Sequence, residues 1–237
     1  MLQKSDILTV AHQAKAVLPL ETAKLSEEYF YQSLPLCVID AVFSIGVKYD
    51  STRAVVARYC EYTSQRRIRK SADLPNRESQ ESISSFCGRS EQSDSVLMAK
   101  LVYQNRQRTS TRSGILKAEA VLRFAQVLQS FGIEHLQDVP RTSENTDLVA
   151  AIQSIPGQRS GISLYYFWML AGSNDFVKPD RMVLRFLEAA LSRPVDINEA
   201  VALLCASIQE LGADFPSLTP RLLDHEIWKY QRGNVVV

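Results

Sequence analysis

The 237-residue sequence predicts an all-α protein, on three observations. Apolar residues recur at three- and four-residue spacing over long stretches, start and stop residues bracket those stretches, and no run alternates with period two for long enough to form a strand. In chain order, residues 5–18, 22–33, 35–47 and 51–63 read as the first helices. Leu116, Ala120, Val121, Phe124, Val127, Leu128 and Phe131 make the next stripe, with Gly132 as its stop. An apolar helix from Leu148 ends in Ile155-Pro156-Gly157, and a second begins after Gly161. Met182, Val183, Phe186, Leu187, Ala190 and Leu191 follow as a stripe headed by Asp180. Asp196 and Glu199 have the spacing of a capping box for a helix with Val201, Leu204, Cys205 and Ile208 inward, ended by Gly212. Thr219-Pro220 opens the last helix, which carries Leu223, Ile227 and Trp228. The exception is residues 64–95, rich in Ser, Glu, Gln and Arg, which read as a polar insertion leaving the core.

Composition narrows the function classes. Apolar residues make up 46% and charged residues 22%, ordinary for a chain that buries a core without disulfide or metal staples. The uncharged run Gly161–Gly172 is 12 residues, too short to cross a bilayer, so no membrane partner is expected. The opening MLQKSDILTV carries charges where a signal peptide needs its apolar stretch, and the expectation is a cytoplasmic protein, nucleoid-associated in a prokaryote. Cys37, Cys60, Cys87 and Cys205 lie far apart and fit neither a zinc knuckle nor an iron–sulfur cluster. His12, His135 and His225 lack metal-ligand spacing. The net charge is +1, yet residues 53–117 hold 13 Lys and Arg against 6 Asp and Glu. Arg66, Arg67, Arg69 and Lys70 form one cluster, and Arg106, Arg108 and Arg112 another. Charge alone leaves two readings open, an anionic partner such as nucleic acid or a solvated loop.

The turn between the two apolar helices carries more information. Glycine and proline there permit close approach of another chain. The first N–H groups of the following helix have no intrahelical partner and sit at the positive end of its dipole, which suits a phosphate. A helix, a Pro-Gly turn and a helix thus make a clamp on a nucleic-acid backbone that is blind to sequence.

With Lys178-Pro179-Asp180 following, the stretch Leu148–Leu187 resembles the helix-hairpin-helix/Gly-Pro-Asp superfamily of base-excision DNA glycosylases. Gly157 matches the turn glycine and Asp180 the aspartate that opens the next helix, 23 residues on. Ala41–Tyr59 is similar to the family's first core helix, DNA-entering loop and following helix, and Leu116–Leu128 to its Lys-Ala-bearing helix. The resemblance spans about Leu34 to Leu191 and implies one glycosylase-like unit over 1–237, two helical lobes with a central cleft, with 1–33 and 192–237 packing back on the core. It implies duplex DNA as partner, a monomer, Asp180 as the catalytic carboxylate, and DNA contacts from Gly157, Gln158, Arg159, Ser160 and Gly161. A wedge loop at Gly46, Val47, Lys48 and Tyr49 is implied in the same way. In this family backbone carbonyls of the turn hold a monovalent cation, K or Na; by position these belong to Gln153, Ile155 and Gln158.

The departures set the expected chemistry. The lysine nucleophile of bifunctional members is replaced at its position by Gly161, beside Ser160, so no Schiff base and no strand cleavage are expected. Arg159 stands where the turn usually has a second glycine, and the cysteine cluster of the iron–sulfur branch is absent. The expected activity is monofunctional: breaking an N-glycosidic bond builds positive charge on the sugar, which a fixed carboxylate stabilises while it orients water. The base must first leave the stack. Two plainer readings stand beside this one. Asp180 is a good helix N-cap whatever else it does, and the alternative reading of the chain as a whole is a catalytically silent DNA-binding protein. Lys117 reads as a residue that closes or caps its helix.

Overall fold

A computed structural model describes residues 2–71 and 73–233, the side chains of 91–93 excepted. Among the described residues eleven α-helices follow one another: α1 (Lys4–Val17), α2 (Leu34–Phe43), α3 (Tyr49–Thr63), α4 (Ile83–Ser93), α5 (Ser95–Leu97), α6 (Lys117–Ser130), α7 (Thr146–Gln153), α8 (Ile162–Ala171), α9 (Arg181–Leu191), α10 (Ile197–Leu211) and α11 (Pro220–Gly233). Among the described residues, extended pairing is limited to two isolated bridges, Tyr31 with Ile68 and Arg108 with Leu116. The protein is all-α. No described helix is long and apolar enough to cross a membrane. The chain forms two compact units, one from Met1–Ser26 with Ser173–Val237 and one from Glu27–Gly172.

The unit built from the two chain ends packs α1 against α9 and α10, and α11 against α9. Val10 and Ala14 of α1, Val183, Phe186 and Leu187 of α9, and Leu223 and Ile227 of α11 share one core. On α10 the buried face is Ala200, Leu203, Leu204, Ser207 and Leu211, while Val201, Cys205 and Ile208 are only partly buried. The expected stripe is thus rotated by about one position, because α1 covers α10 along its Leu203–Ser207 side, where the Ser207 hydroxyl reaches the Ile7 carbonyl at 3.4 Å. Arg193 ties the ends of the chain together, donating to Glu199 at 2.7 Å and to Asp6 at 2.5 Å.

The central unit is organised around α2, whose ten residues are all buried. LPLCVIDAVF is apolar around its whole circumference except for Asp40, so it belongs in an interior; it lies against α3, α6 and α8. Asp40 is fully buried, and the Tyr31 hydroxyl donates to it at 2.8 Å. The second buried carboxylate, Glu81, accepts from the Tyr59 hydroxyl at 2.8 and 2.9 Å and from Arg89 at 3.2 Å. Burial pushes the Glu81 carboxyl up, with the Tyr59 and Arg89 hydrogen bonds opposing.

Two segments depart from the sequence expectation. Residues 22–33 form short 3-10 turns at Leu20–Thr22 and Glu27–Tyr29, then extended chain, not a helix. Tyr29, Tyr31 and Ser33 are buried with less buried residues between them, a period of two that the bridge of Tyr31 to Ile68 completes. The polar segment 64–95 does not leave the core throughout. Its second half is α4, which starts on the Ser82 N-cap and packs Ile83, Phe86 and Cys87 against α6. Its apolar residues are few, but their three- and four-residue spacing supplies one buried face.

The end of α2 poses a problem that Lys117 solves. The last carbonyls of a helix lack intrahelical donors, and here they are buried. Lys117, only 4% exposed at the start of α6, donates its ammonium to the Phe43 carbonyl at 2.9 Å and the Ile45 carbonyl at 2.7 Å. A cation at the negative end of the α2 dipole is doubly favoured. It caps, but on another helix than its own. Lys117→Met keeps the volume and removes both donors. Urea unfolding should show a loss of about 2 kcal/mol, as expected for buried acceptors left without partners; an unchanged midpoint would show that Lys117 is not needed there.

Candidate nucleic-acid interface

The turn begins where α7 ends. Asn145 caps α7, its side-chain oxygen accepting from Asp147 and Leu148 N–H groups at 3.1 and 3.0 Å. After Gln153 the chain folds through Ile155, which is buried, and exposed Pro156 into Gly157 at φ +89°. The Gln158 N–H returns to the Ile155 carbonyl at 2.9 Å, and the Gly161 N–H to the Gln158 carbonyl at 3.0 Å. Gly161, at φ +73°, is the N-cap of α8.

The five turn residues separate into two kinds. Gly157, Arg159 and Ser160 are exposed, whereas Gln158 and Gly161 are buried. The Gln158 side chain does not face solvent: it accepts from the Ser163 hydroxyl and braces the first turn of α8. A Cβ at Gly161 would lie 3.0 Å from the Gln153 amide nitrogen on a left-handed backbone, so a side chain there is strained unless Gln153 shifts. The carbonyls of Ile155 and Gln158 are engaged by the turn's own hydrogen bonds.

Gly157 has a neighbour that sequence reasoning missed. A Cβ there would lie 2.3 Å from the Thr109 Cβ, because Thr109 is seated directly on the glycine. Thr109 belongs to a tight loop whose two limbs are joined by the Thr109 N–H to the Ile115 carbonyl at 2.9 Å and the Lys117 N–H to the Gln107 carbonyl at 2.8 Å. Lys117 thus holds this loop by its backbone and the Ile45 carbonyl by its side chain. Just beyond Ile45 come Gly46 at φ +71°, Val47, Lys48 and Tyr49. The two segments expected to meet DNA, 46–49 and 157–161, are consequently connected through Lys117 and Thr109 within one unit. Gly46 and Lys48 are exposed, while Tyr49 opens α3 with its ring 6.0 Å from that of Tyr29. Burial, then Tyr29 and Asp40, drive the Tyr49 phenol far above its ordinary range. Thr109 carries no signal in the sequence. Lys117 does, because it falls on the same helical face as Ala120, Val121 and Phe124.

Asp180 belongs to the other unit. Its Oδ1 caps α9, accepting from the Met182 N–H at 2.8 Å and the Val183 N–H at 3.4 Å, and its Oδ2 lies 4.0 Å from the Lys178 ammonium. The Lys178 carbonyl accepts from the Asp180 N–H at 2.6 Å, closing a tight turn around buried Pro179. That turn is held from α11: Asp224 accepts the Lys178 backbone N–H at 2.8 Å, and the Arg221 N–H bonds the Asn174 carbonyl at 3.1 Å. Asp224 was not foreseen. Burial raises its carboxyl to about 8, assisted by the charge of Asp180 and opposed by Lys178 and Arg221. The His225 ring beside it is lowered to about 4 by burial, then by Lys229 and Arg221. Among the described residues no group of three or more His, Cys, Asp or Glu is arranged to hold a metal ion.

A family model described as a domain of unknown function, DUF8548, matches residues 8–232. The chain belongs to the DUF8548 family. No curated protein and no solved structure matches it.

The DUF8548 chain therefore presents, in one unit, linked loops with exposed cations and hydroxyls and, in the other, an aspartate fixed by a helix cap. Two outcomes follow. Gly157→Ala should cost about 1–3 kcal/mol in urea unfolding, from its left-handed backbone and from Thr109. Adding Thr109→Gly should relieve the steric part, giving a coupling of at least about 0.5 kcal/mol in a double-mutant cycle; strict additivity would deny the contact. Asp224 gives a pH signature. The unfolded chain ionises it at about pH 4, the folded one only at about 8. The folded state holds the extra proton between these values, so stability falls as pH rises through that window and levels off above it. Asp224→Asn keeps the acceptor for Lys178 and should gain on the wild type between pH 5 and 8 by at least about 1 kcal/mol. His225 has the opposite tendency, losing stability as pH falls below about 6.5, but does so in both proteins and cancels. A difference that does not change with pH would place Asp224 in an ordinary ionised state.

Proposed function

We propose that this DUF8548 chain binds duplex DNA through the α7–α8 turn and hydrolyses the N-glycosidic bond of a damaged or modified base, with Asp180 as the carboxylate that stabilises the developing sugar cation. The observation that carries the reading is the order of three features along the chain. A glycine turn with exposed Arg159 and Ser160 leads into α8, and the next long helix opens on an aspartate bound through one oxygen. The division into a central unit and a unit made of both chain ends supports a two-lobed glycosylase architecture.

Each part has a physical task. The exposed turn residues Gly157, Arg159 and Ser160 offer their backbone N–H groups and the Arg159 guanidinium to phosphates, contacts that position a duplex without reading it. Asp180 is held in place before any reaction by its cap, and a carboxylate fixed in advance stabilises positive charge without reorganising. Position 161 carries glycine where a lysine nucleophile would stand, which favours hydrolysis over β-elimination. The reading of a silent DNA-binding protein draws on one observation, the Lys178 ammonium 4.0 Å from the remaining Asp180 oxygen.

Single-turnover base release from duplexes carrying uracil, hypoxanthine, alkylated purines, 8-oxoguanine or mismatches decides between them, with hot alkali revealing abasic sites. Asparagine caps a helix as well as aspartate does, so Asp180→Asn removes charge and keeps the fold. Release by wild type that falls at least about a hundredfold in the variant, roughly 2.7 kcal/mol of barrier, is the expected result. Salt-sensitive duplex binding by both proteins with no release across the panel would select the silent reading.

A further inference from the structure

Resting on the DNA-binding reading above, we infer that the loop Arg106–Ser113 is a second contact with the DNA backbone, built onto the α7–α8 turn and delivering Arg106, Arg108 and Arg112 to phosphates. The two basic clusters of the central unit have different fates. In the Arg66–Lys70 cluster, Arg69 is buried, lies 5.1 Å over the Phe30 ring and donates to the Ser71 carbonyl at 3.2 Å, while Arg66 donates to the Ile68 carbonyl at 2.6 Å. Two of its four cations, Arg66 and Arg69, thus bond backbone carbonyls of their own segment. Arg106, Arg108, Arg112 and Arg159 are all exposed, and none pairs with a carboxylate among the described residues.

The loop that carries three of them is shaped in advance. Its limbs are joined at Arg108–Leu116 and by the Thr109 and Lys117 N–H bonds. Gly114 is required at its neck, since a Cβ there would lie 2.1 Å from the Ser110 nitrogen. Thr109, in the middle of the loop, is packed on Gly157, so the backbone that carries the arginines is seated on the turn that carries exposed Arg159 and Ser160. A loop ordered before binding loses little entropy on contact, and guanidinium forks suit phosphate oxygens better than ammonium groups do.

The composition selects the partner. Residues 104–114, QNRQRTSTRSG, contain arginines, amides and hydroxyls and no apolar side chain. A protein interface needs a desolvated anchor, and a membrane surface needs an apolar face to insert; this loop has neither. Guanidinium, amide and hydroxyl donors in one rigid loop are the donors that a phosphate backbone engages.

The test is the salt dependence of binding to a short fluorescent duplex, read by anisotropy over roughly 50–200 mM salt. The full chain is compared with Arg106→Gln/Arg108→Gln/Arg112→Gln and with Arg66→Gln/Lys70→Gln. Each phosphate contact contributes a slope of about 0.9 in log K against log salt, so the triple variant should flatten the slope by about 2–3 and weaken binding more than tenfold at the low-salt end. The control pair should leave the slope within about 0.5 of wild type. A triple variant with the wild-type slope, or equal flattening by the control pair, overturns the assignment of the loop while DNA binding itself stands. Wild type that fails to bind duplex at low salt overturns both readings. All five substituted positions are exposed, and thermal unfolding by circular dichroism confirms that the variants are folded.

Discussion

A buried ammonium group governs the architecture of the central unit. α2 is buried along its whole length, so its last carbonyls cannot turn to water, and an ammonium without partners in the same place would be costly. Lys117 and the end of α2 answer each other's requirement. Because Lys117 is also the first residue of α6, with its N–H on Gln107, the bond that ends α2 also places the neck of the arginine loop. Thr109 then carries that placement to Gly157. Three loops far apart in sequence share one support, so removing the support should loosen all three together.

The other buried polar groups constrain the fold in the same manner, each joining segments that apolar packing alone would leave free to slide. Asp40 gathers Tyr31, which fixes the extended entry into the central unit. Glu81 gathers Tyr59 and Arg89, pinning α3 to the start of α4. In the other unit Asp224 holds the Lys178 turn from α11. Such groups are costly to bury and become favourable only when their partners are in place, so they reward one arrangement above its neighbours. Asp224 shows the remaining cost most directly, since its carboxyl keeps a proton that an exposed aspartate would release.

The helices were legible where a stripe of apolar residues stood between a cap and a stop, as in α6, α9 and α10. They were misread where local composition and tertiary position disagreed. The stretch 22–33 has enough apolar residues for a helix, but its aromatic pair Tyr29 and Tyr31 alternates, and the pairing partner Ile68 lies too far away in sequence to be seen. α4 hides its buried face among serines, with Ile83, Phe86 and Cys87 the entire signal. At the candidate interface the glycines announced a turn, because positive φ restricts the residue type. Nothing local marked Gln158 as a brace, Thr109 as a lid on Gly157 or Asp224 as the anchor of Lys178. Each of those roles is set by a partner on another element, and a single sequence does not display partners.

Capping and chemistry at Asp180 are compatible demands. The cap uses Oδ1 and aims it along two N–H groups at the head of α9, which fixes the carboxylate plane and so the direction of Oδ2. A side chain chosen only for capping has no need of a second oxygen; serine or threonine would serve nearly as well. Aspartate adds a negative charge, and the neighbouring turn invests a buried proline, a tight Lys178–Asp180 hydrogen bond and a buried carboxyl on α11 in holding that charge still. In the proposed reaction this matters because electrostatic stabilisation scales with how little the stabilising group must move when charge appears. The Lys178 ammonium at 4.0 Å is the counterweight, close enough to balance the aspartate in the resting protein but beyond a good hydrogen bond. A positively charged sugar approaching Oδ2 would therefore compete with Lys178 for the carboxylate without having to break a strong bond first.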